Sequence, residues 1–200
     1  MVRKSRFLLT TALAGSIVVL GATVTIIGGD RLPAASATPI VSGFGGHFAL
    51  TTPDGQGVTD ASYRGRWLVI YFGYTSCPDA CPTALSTISL ALEQLGPDAD
   101  KVQPLFITVD PERDTPKVLT DYVKAFGPRL QALRGTPEQI AAAAKAYHVT
   151  YVVRDLGDGA YSVDHSSFIY VIDPHGKFAQ LLTGDVPGHA LAAELRLLVK

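Results

Sequence analysis

Cysteine is scarce in this 200-residue chain: there are two, Cys77 and Cys81, and the single methionine is Met1. With two thiols no disulfide framework can be built, and the four Cys or His ligands of a structural zinc site are not written at any recognisable spacing. Cationic patches are lacking as well. The formal net charge is −1, and with residues 1–30 set aside 14 basic residues face 17 acidic ones without a basic stripe, which excludes an electrostatic footprint for nucleic acid. Internal repeats and low-complexity tracts are absent too, so the chain reads as one packed domain with a distinct N-terminal segment.

That segment is the one long apolar run. Arg3, Lys4 and Arg6 precede "FLLTTALAGSIVVLGATVTIIGG", Phe7 to Gly29, which carries no charge. A helix needs about 20 such residues to cross a bilayer. Residues 1–29 are therefore expected to be a single-pass membrane anchor, with the basic flank inside and everything after Asp30 outside. A cleaved signal peptide is the competing reading, since Ala35-Ser36-Ala37 resembles a cleavage site, but the run exceeds the roughly 7–15 residues of a signal core. A buried soluble helix is the third option. Residues 30–42, rich in Pro, Ala and Ser, read as a linker, and the domain is expected over 43–200. No Arg/Ser-rich transit segment precedes the run, which favours a bacterial inner membrane, with the C-terminal domain in the periplasm, over a mitochondrial one.

Within the domain, strands and helices alternate. "HFALTTPDGQGVT" reads as a hairpin around Pro53-Asp54-Gly55. "RWLVIYFGY", Arg66 to Tyr74, and "VQPLFITVD", Val102 to Asp110, are continuous apolar runs suited to strands buried on both faces. Leu85, Ile88, Leu92 and Leu95 recur at helical spacing up to Gly96. Thr115-Pro116 opens a second helix with the stripe Leu119, Tyr122, Val123, Phe126. Thr136 to Gln139 is a capping box for an alanine-rich third helix. "SFIYVIDPHGKFAQLL" gives two more strands, and Gly188 to Lys200 a last helix with Leu191, Leu195 and Leu198 on one face. The fold class is α/β, a central sheet flanked by helices. A strand running straight into two cysteines and then a helix resembles the way a thioredoxin-like fold presents its active site.

The cysteines lie in "FGYTSCPDACPTAL", each before a proline. Proline disfavours the α conformation of the residue before it, so Cys77 to Cys81 is expected to be a tight loop with Pro82 at the first helical position. Cys81 would then face the positive end of the helix dipole, which favours its thiolate. As a structural staple the pair would be weak: a loop of about five residues restricts the unfolded chain by only ~2 kcal/mol, against ~4.7 kcal/mol for a 100-residue loop. Haem attachment would need C-x-x-C-H. A peroxidatic cysteine like that of the peroxiredoxins would need a threonine three residues earlier, where Tyr74 and Pro78 stand. Dithiol redox exchange or a soft metal with few ligands remains. Thiolates select Cu(I), and an added imidazole also suits Cu(II).

Of the five histidines, His47, His148, His175 and His189 have ordinary readings as loop, turn or cap residues. His165 stands in "VDHSSFIYVID", just before an apolar strand, where thioredoxin-like proteins commonly carry a cis-proline facing the two cysteines. Asp164 beside it would either orient the ring or cap a turn. "DPERDTP", Asp110 to Pro116, reads as a loop and helix start with Asp114 or Thr115 as cap. Its place at the end of the second strand puts Asp110 and Arg113 on the cysteine rim, where they would meet a partner or tune a metal.

Together, "FGYTSCPDACPTAL", "TVDPERDTP" and "VDHSSFIYVIDPHGKF" resemble the Sco (SenC) family of membrane-anchored copper chaperones with a thioredoxin fold, over His47 to the C-terminus. The resemblance implies that Cys77, Cys81 and His165 bind one copper ion. It further implies delivery to the dinuclear copper centre of cytochrome c oxidase, making subunit II of the oxidase a partner and a second copper chaperone a candidate donor. An alternative is a thiol-disulfide oxidoreductase in which Cys77 and Cys81 are the redox-active pair, keeping the acceptor's cysteines reduced. The first reading makes the chain a metal carrier and not an enzyme.

Overall fold

The computed structural model describes residues 44–199. The expected anchor (1–29) and linker (30–42) lie outside the described residues, and among those described no helix is long and apolar enough to cross a membrane.

The strand expected at Arg66–Tyr74 forms over Trp67–Gly73 (β3, after the short hairpin β1, Ala49–Thr51, and β2, Gly57–Thr59) and is buried from Leu68 onward. It lies at the centre of a five-stranded sheet of order β5-β4-β3-β8-β9, with β4 at Val102–Thr108, β5 at Gln131–Leu133, β8 at Phe168–Ile172 and β9 at Phe178–Thr183. β3, β4 and β5 run parallel, while β8 and β9 complete the sheet antiparallel. A strand with neighbours on both edges and helices above and below has no solvated face, which is why its sequence is continuously apolar.

The four expected helices are present: α1 (Ala80–Leu95), α2 (Pro116–Lys124), α3 (Pro137–Ala146) and α4 (Gly188–Leu198). α1 buries Ala84, Leu85, Ile88, Leu92 and Leu95 at helical spacing against the sheet and α4, and Gly96 ends it at φ 59°. Each fully buried aliphatic side chain contributes about 1.5–3 kcal/mol. Thr115 caps α2 through Val118 N–H, and Thr136 with Gln139 forms the capping box of α3. Successive residues of β3 serve opposite faces: Phe72 meets Tyr147 at the end of α3 and Tyr170 of β8, whereas Gly73 lies against Cys81 of α1.

Two pieces of the β-structure were not expected. β5 is only three residues long, too short to carry a period. The other is a hairpin of β6 (Tyr151–Gly157) and β7 (Ala160–His165), which forms its own two-stranded sheet. Asp158 and Gly159 turn it with φ of 52° and 76°, the positive pair that a two-residue hairpin turn requires. His165 is the last residue of this arm, in register with Tyr151.

Candidate metal centre

Cys77 and Cys81 emerge where β3 ends. The turn Tyr74–Cys77 is closed by Cys77 N–H donating to the Tyr74 carbonyl at 3.2 Å. The expected loop from Cys77 to Cys81 is shorter than the prolines implied: α1 begins at Ala80, so Cys81 is helical and Pro82 is the third helical residue. First-turn N–H groups have no intrahelical acceptor, so proline is tolerated there and its bias on the preceding residue is overridden. The Asp79 side chain does not cap this helix; instead Cys81 N–H points at the Cys77 sulfur, 3.4 Å away.

This reverses the expected roles of the two thiols. A hydrogen bond from Cys81, with further help from His165 and from the N–H groups of Cys81 and Asp79, lowers Cys77 from the ordinary 9.0 to about 4 against the upward push of burial. Cys81 is fully buried; donating an S–H hydrogen bond to Cys77, together with burial, raises it well above the ordinary thiol range. The helix N-terminus stabilises a thiolate, but the sulfur that occupies it belongs to the residue before the helix.

His165 reaches the same point from the hairpin. Its Nε2 lies 3.4 Å from Cys81 Sγ, and its Nδ1 lies 3.0 Å from the Ser166 carbonyl oxygen. A carbonyl only accepts, so Nδ1 carries a proton, and Nε2 is the ring nitrogen turned towards the sulfurs. The expected orienting role of Asp164 is corrected: its carboxylate pairs with Arg154 across the hairpin, and neither the imidazole nor a turn receives it. The ring is flanked edge-on by Tyr71 and Tyr74, with centroids at 6.0 and 5.8 Å. Tyr71 also meets Ser167 Oγ at 3.0 Å, tying the residues after His165 to β3.

The ligand atoms of Cys77, Cys81 and His165 all lie within 4.8 Å of one another, the one such group among the described residues. An ion bonded at about 2.3 Å to three donors keeps them roughly 4 Å apart, so this spread accommodates a single ion. Two sulfurs and one imidazole form a soft, low-coordinate set suited to copper. The remaining histidines are elsewhere. His47 sits 3.0 Å from Asp60, His148 stacks on Phe44, His175 lies in the β8–β9 turn, and His189 is in the first turn of α4.

Behind the cysteines, Asp114 is completely buried. It accepts from Thr75 N–H (3.1 Å), Thr75 Oγ1 (2.5 Å) and Thr108 Oγ1 (2.5 Å), while Thr115 alone caps α2. Burial pushes its carboxyl up, opposed by those hydrogen bonds. Sequence reasoning missed Asp114 as an anchor of the cysteine turn, and also Tyr71, Tyr74 and Ser167. Tyrosines interrupting an apolar strand just before two cysteines were the available signal for Tyr71 and Tyr74.

The SCO1/SenC family model matches residues 37–200. The chain belongs to that family. It is 38% identical over 193 residues to Protein SenC of Rhodobacter capsulatus, covering 94% of this chain and 87% of that protein. It is 44% identical over 140 residues to the mitochondrial SCO1 homolog of Homo sapiens, covering 67% of this chain and 46% of that protein, so it spans about half the length of this relative. Among solved structures, Bradyrhizobium japonicum ScoI with copper bound superposes with a TM-score of 0.72 at 43% identity, over 77% of this chain and 98% of that one.

Proposed function

We propose that this family member is a copper carrier that holds one ion through Cys77 Sγ, Cys81 Sγ and His165 Nε2 and passes it to the dinuclear copper centre in subunit II of cytochrome c oxidase. The observation that carries the reading is the convergence of a hairpin imidazole, Nε2 foremost, on two free thiols. A relative of 43% identity solved with copper bound supports the choice of metal. Transfer is ligand exchange: acceptor thiolates replace Cys77, Cys81 and His165 one at a time, so the ion is never left without donors. In this reading residues 1–29 anchor the chain in a bacterial inner membrane with the domain in the periplasm, and a second copper chaperone supplies the ion.

The low-lying, half-exposed Cys77 thiolate beside a protonated Cys81 favours a second reading. Cys77 would attack an acceptor disulfide, releasing one acceptor thiolate. Cys81, passing its proton to the released acceptor thiolate, would then displace the second, leaving a Cys77–Cys81 disulfide and a reduced acceptor pair of one thiol and one thiolate, with two electrons moved. Copper stoichiometry of the reduced protein separates the readings. The carrier reading expects one ion per chain, none in Cys77→Ala or Cys81→Ala, and an affinity about 10–100-fold lower in His165→Ala. A parent that takes up no copper yet reduces a peptide disulfide, with His165→Ala equally active, would leave only the reductase.

A further inference from the structure

The three donors come from two pieces of structure that no sheet register links. The cysteines follow a strand of the five-stranded sheet, in the turn after β3 and the first turn of α1, whereas His165 ends a hairpin that pairs only with itself. Something other than strand pairing must therefore fix the imidazole against the sulfurs. The loop after β4 is placed to do so. Tyr161, four residues before His165 on β7, donates its hydroxyl to Asp110 Oδ1 at 2.8 Å. Arg113 Nη1 donates to the Tyr161 carbonyl at 2.8 Å, Arg113 Nε to Asp110 Oδ2 at 2.5 Å, and the guanidinium carbon lies 3.6 Å from the centre of the Tyr161 ring. The same guanidinium is 5.6 Å from the centre of the Tyr74 ring, which packs edge-on against His165. The loop is fixed at its other side to the cysteine turn, because Thr108 Oγ1 accepts from Asp110 N–H and donates to Asp114, which holds Thr75.

We propose that Asp110, Arg113 and Tyr161 form a latch that sets the imidazole of His165 at bonding distance from the two sulfurs, and thereby sets how tightly the third donor holds copper. These are positioning residues: none of them touches the ion. The inference rests on the carrier reading for its metal-binding arm, and its other arm is metal-free. Arginine is required because one planar group must pair with a carboxylate, donate to a carbonyl and lie over a ring at once, which a lysine ammonium cannot do. A static surface ornament would not need that geometry.

The test uses the full reduced chain. Copper(I) affinity is measured by competition with a chromophoric chelator for the parent, Arg113→Gln, Arg113→Lys and Tyr161→Phe, each also in a His165→Ala background. Arg113→Gln is expected to weaken binding about 10-fold or more, the usual effect of losing a group that orients a ligand, with Arg113→Lys failing to restore it and Tyr161→Phe intermediate. In the His165→Ala background the same changes should cost less than about twofold, since the donor they position is gone. An equal loss in both backgrounds, or no loss in either variant, overturns the latch. Thermal unfolding identifies a variant that does not fold, in which case Tyr161→Phe, which retains the ring, decides. If the parent binds no copper, the carrier reading fails alone. The latch is then judged by amide hydrogen exchange on the metal-free chain: residues 160–166 should exchange faster in Arg113→Gln while β3 and α1 do not, and unchanged exchange refutes it.

Discussion

Cys81 has no exposed surface and follows a strand buried from Leu68 to Gly73, whereas His165 ends a strand whose partner, β6, is solvent-exposed at every residue but its first. The Cys81 sulfur is therefore part of the domain core, packed against Gly73 of the central strand. The imidazole depends on a handful of local bonds: the Ser166–Thr150 pair at the base of the hairpin, Ser167 to Tyr71, and the Asp110–Arg113–Tyr161 cluster. A carrier gains from this division. Two donors stay fixed while the third is held by contacts that can open without unfolding the core, so release does not require global opening.

The largest effect should come from the buried carboxylate on the rigid side. Asp114→Ala strips the acceptor from one N–H and two hydroxyls, and should cost about 3 kcal/mol or more in denaturant unfolding. A loss under ~1 kcal/mol would mean that the cysteine turn is not part of the core. Gly73→Ala comes next. An added Cβ would stand 2.7 Å from Cys81 Sγ and 3.0 Å from Phe106, and such overpacking costs about 1–3 kcal/mol and displaces the sulfur. Unfolding midpoints together with the alkylation rate of Cys81 would read both effects.

Between these and the hairpin lies the pH response of Cys77, in reduced metal-free protein. Folding lowers its pKa from 9.0 to about 4, so its contribution to stability is full above the unfolded value and is lost progressively as pH falls from about 9 towards 4. Its alkylation rate should accordingly stay flat from pH 8 to about 5 and fall only near 4, whereas an ordinary thiol already slows below about 8.5. The smallest effect belongs to the tip of the arm. Leu156 is 67% exposed, and Leu156→Ser should leave unfolding within ~0.5 kcal/mol of the parent. A large loss there would erase the contrast between arm and core.

The core side of this contrast was largely legible in the sequence, since β3, β4 and the four helices announce themselves through apolar period, caps and terminal glycines. The arm was not. Its residues are mostly exposed, so "YVVRDLG" carries no buried period, although the dipeptide Asp158-Gly159 is a hairpin-turn signal that could have found it. His165 stood out by position before an apolar strand, but its orienting partner is a backbone carbonyl, which has no residue-type signature, and Asp164 drew the expectation instead. The reversal of the thiols has a similar cause. Proline bias and the helix dipole are one-dimensional arguments, and the hydrogen bond from Cys81 to Cys77, which with burial leaves the proton on Cys81, appears only in three dimensions.

Glycine at position 73 has a stereochemical consequence for traffic through the site. Because there is no room for a Cβ between Gly73 of β3 and the Cys81 sulfur, with Phe106 and Tyr71 close to the same spot, that sulfur is closed off on its β3 side. In the carrier reading an incoming donor and an outgoing acceptor would both come from the side of the less buried Cys77, so they would share a single doorway and take turns in it.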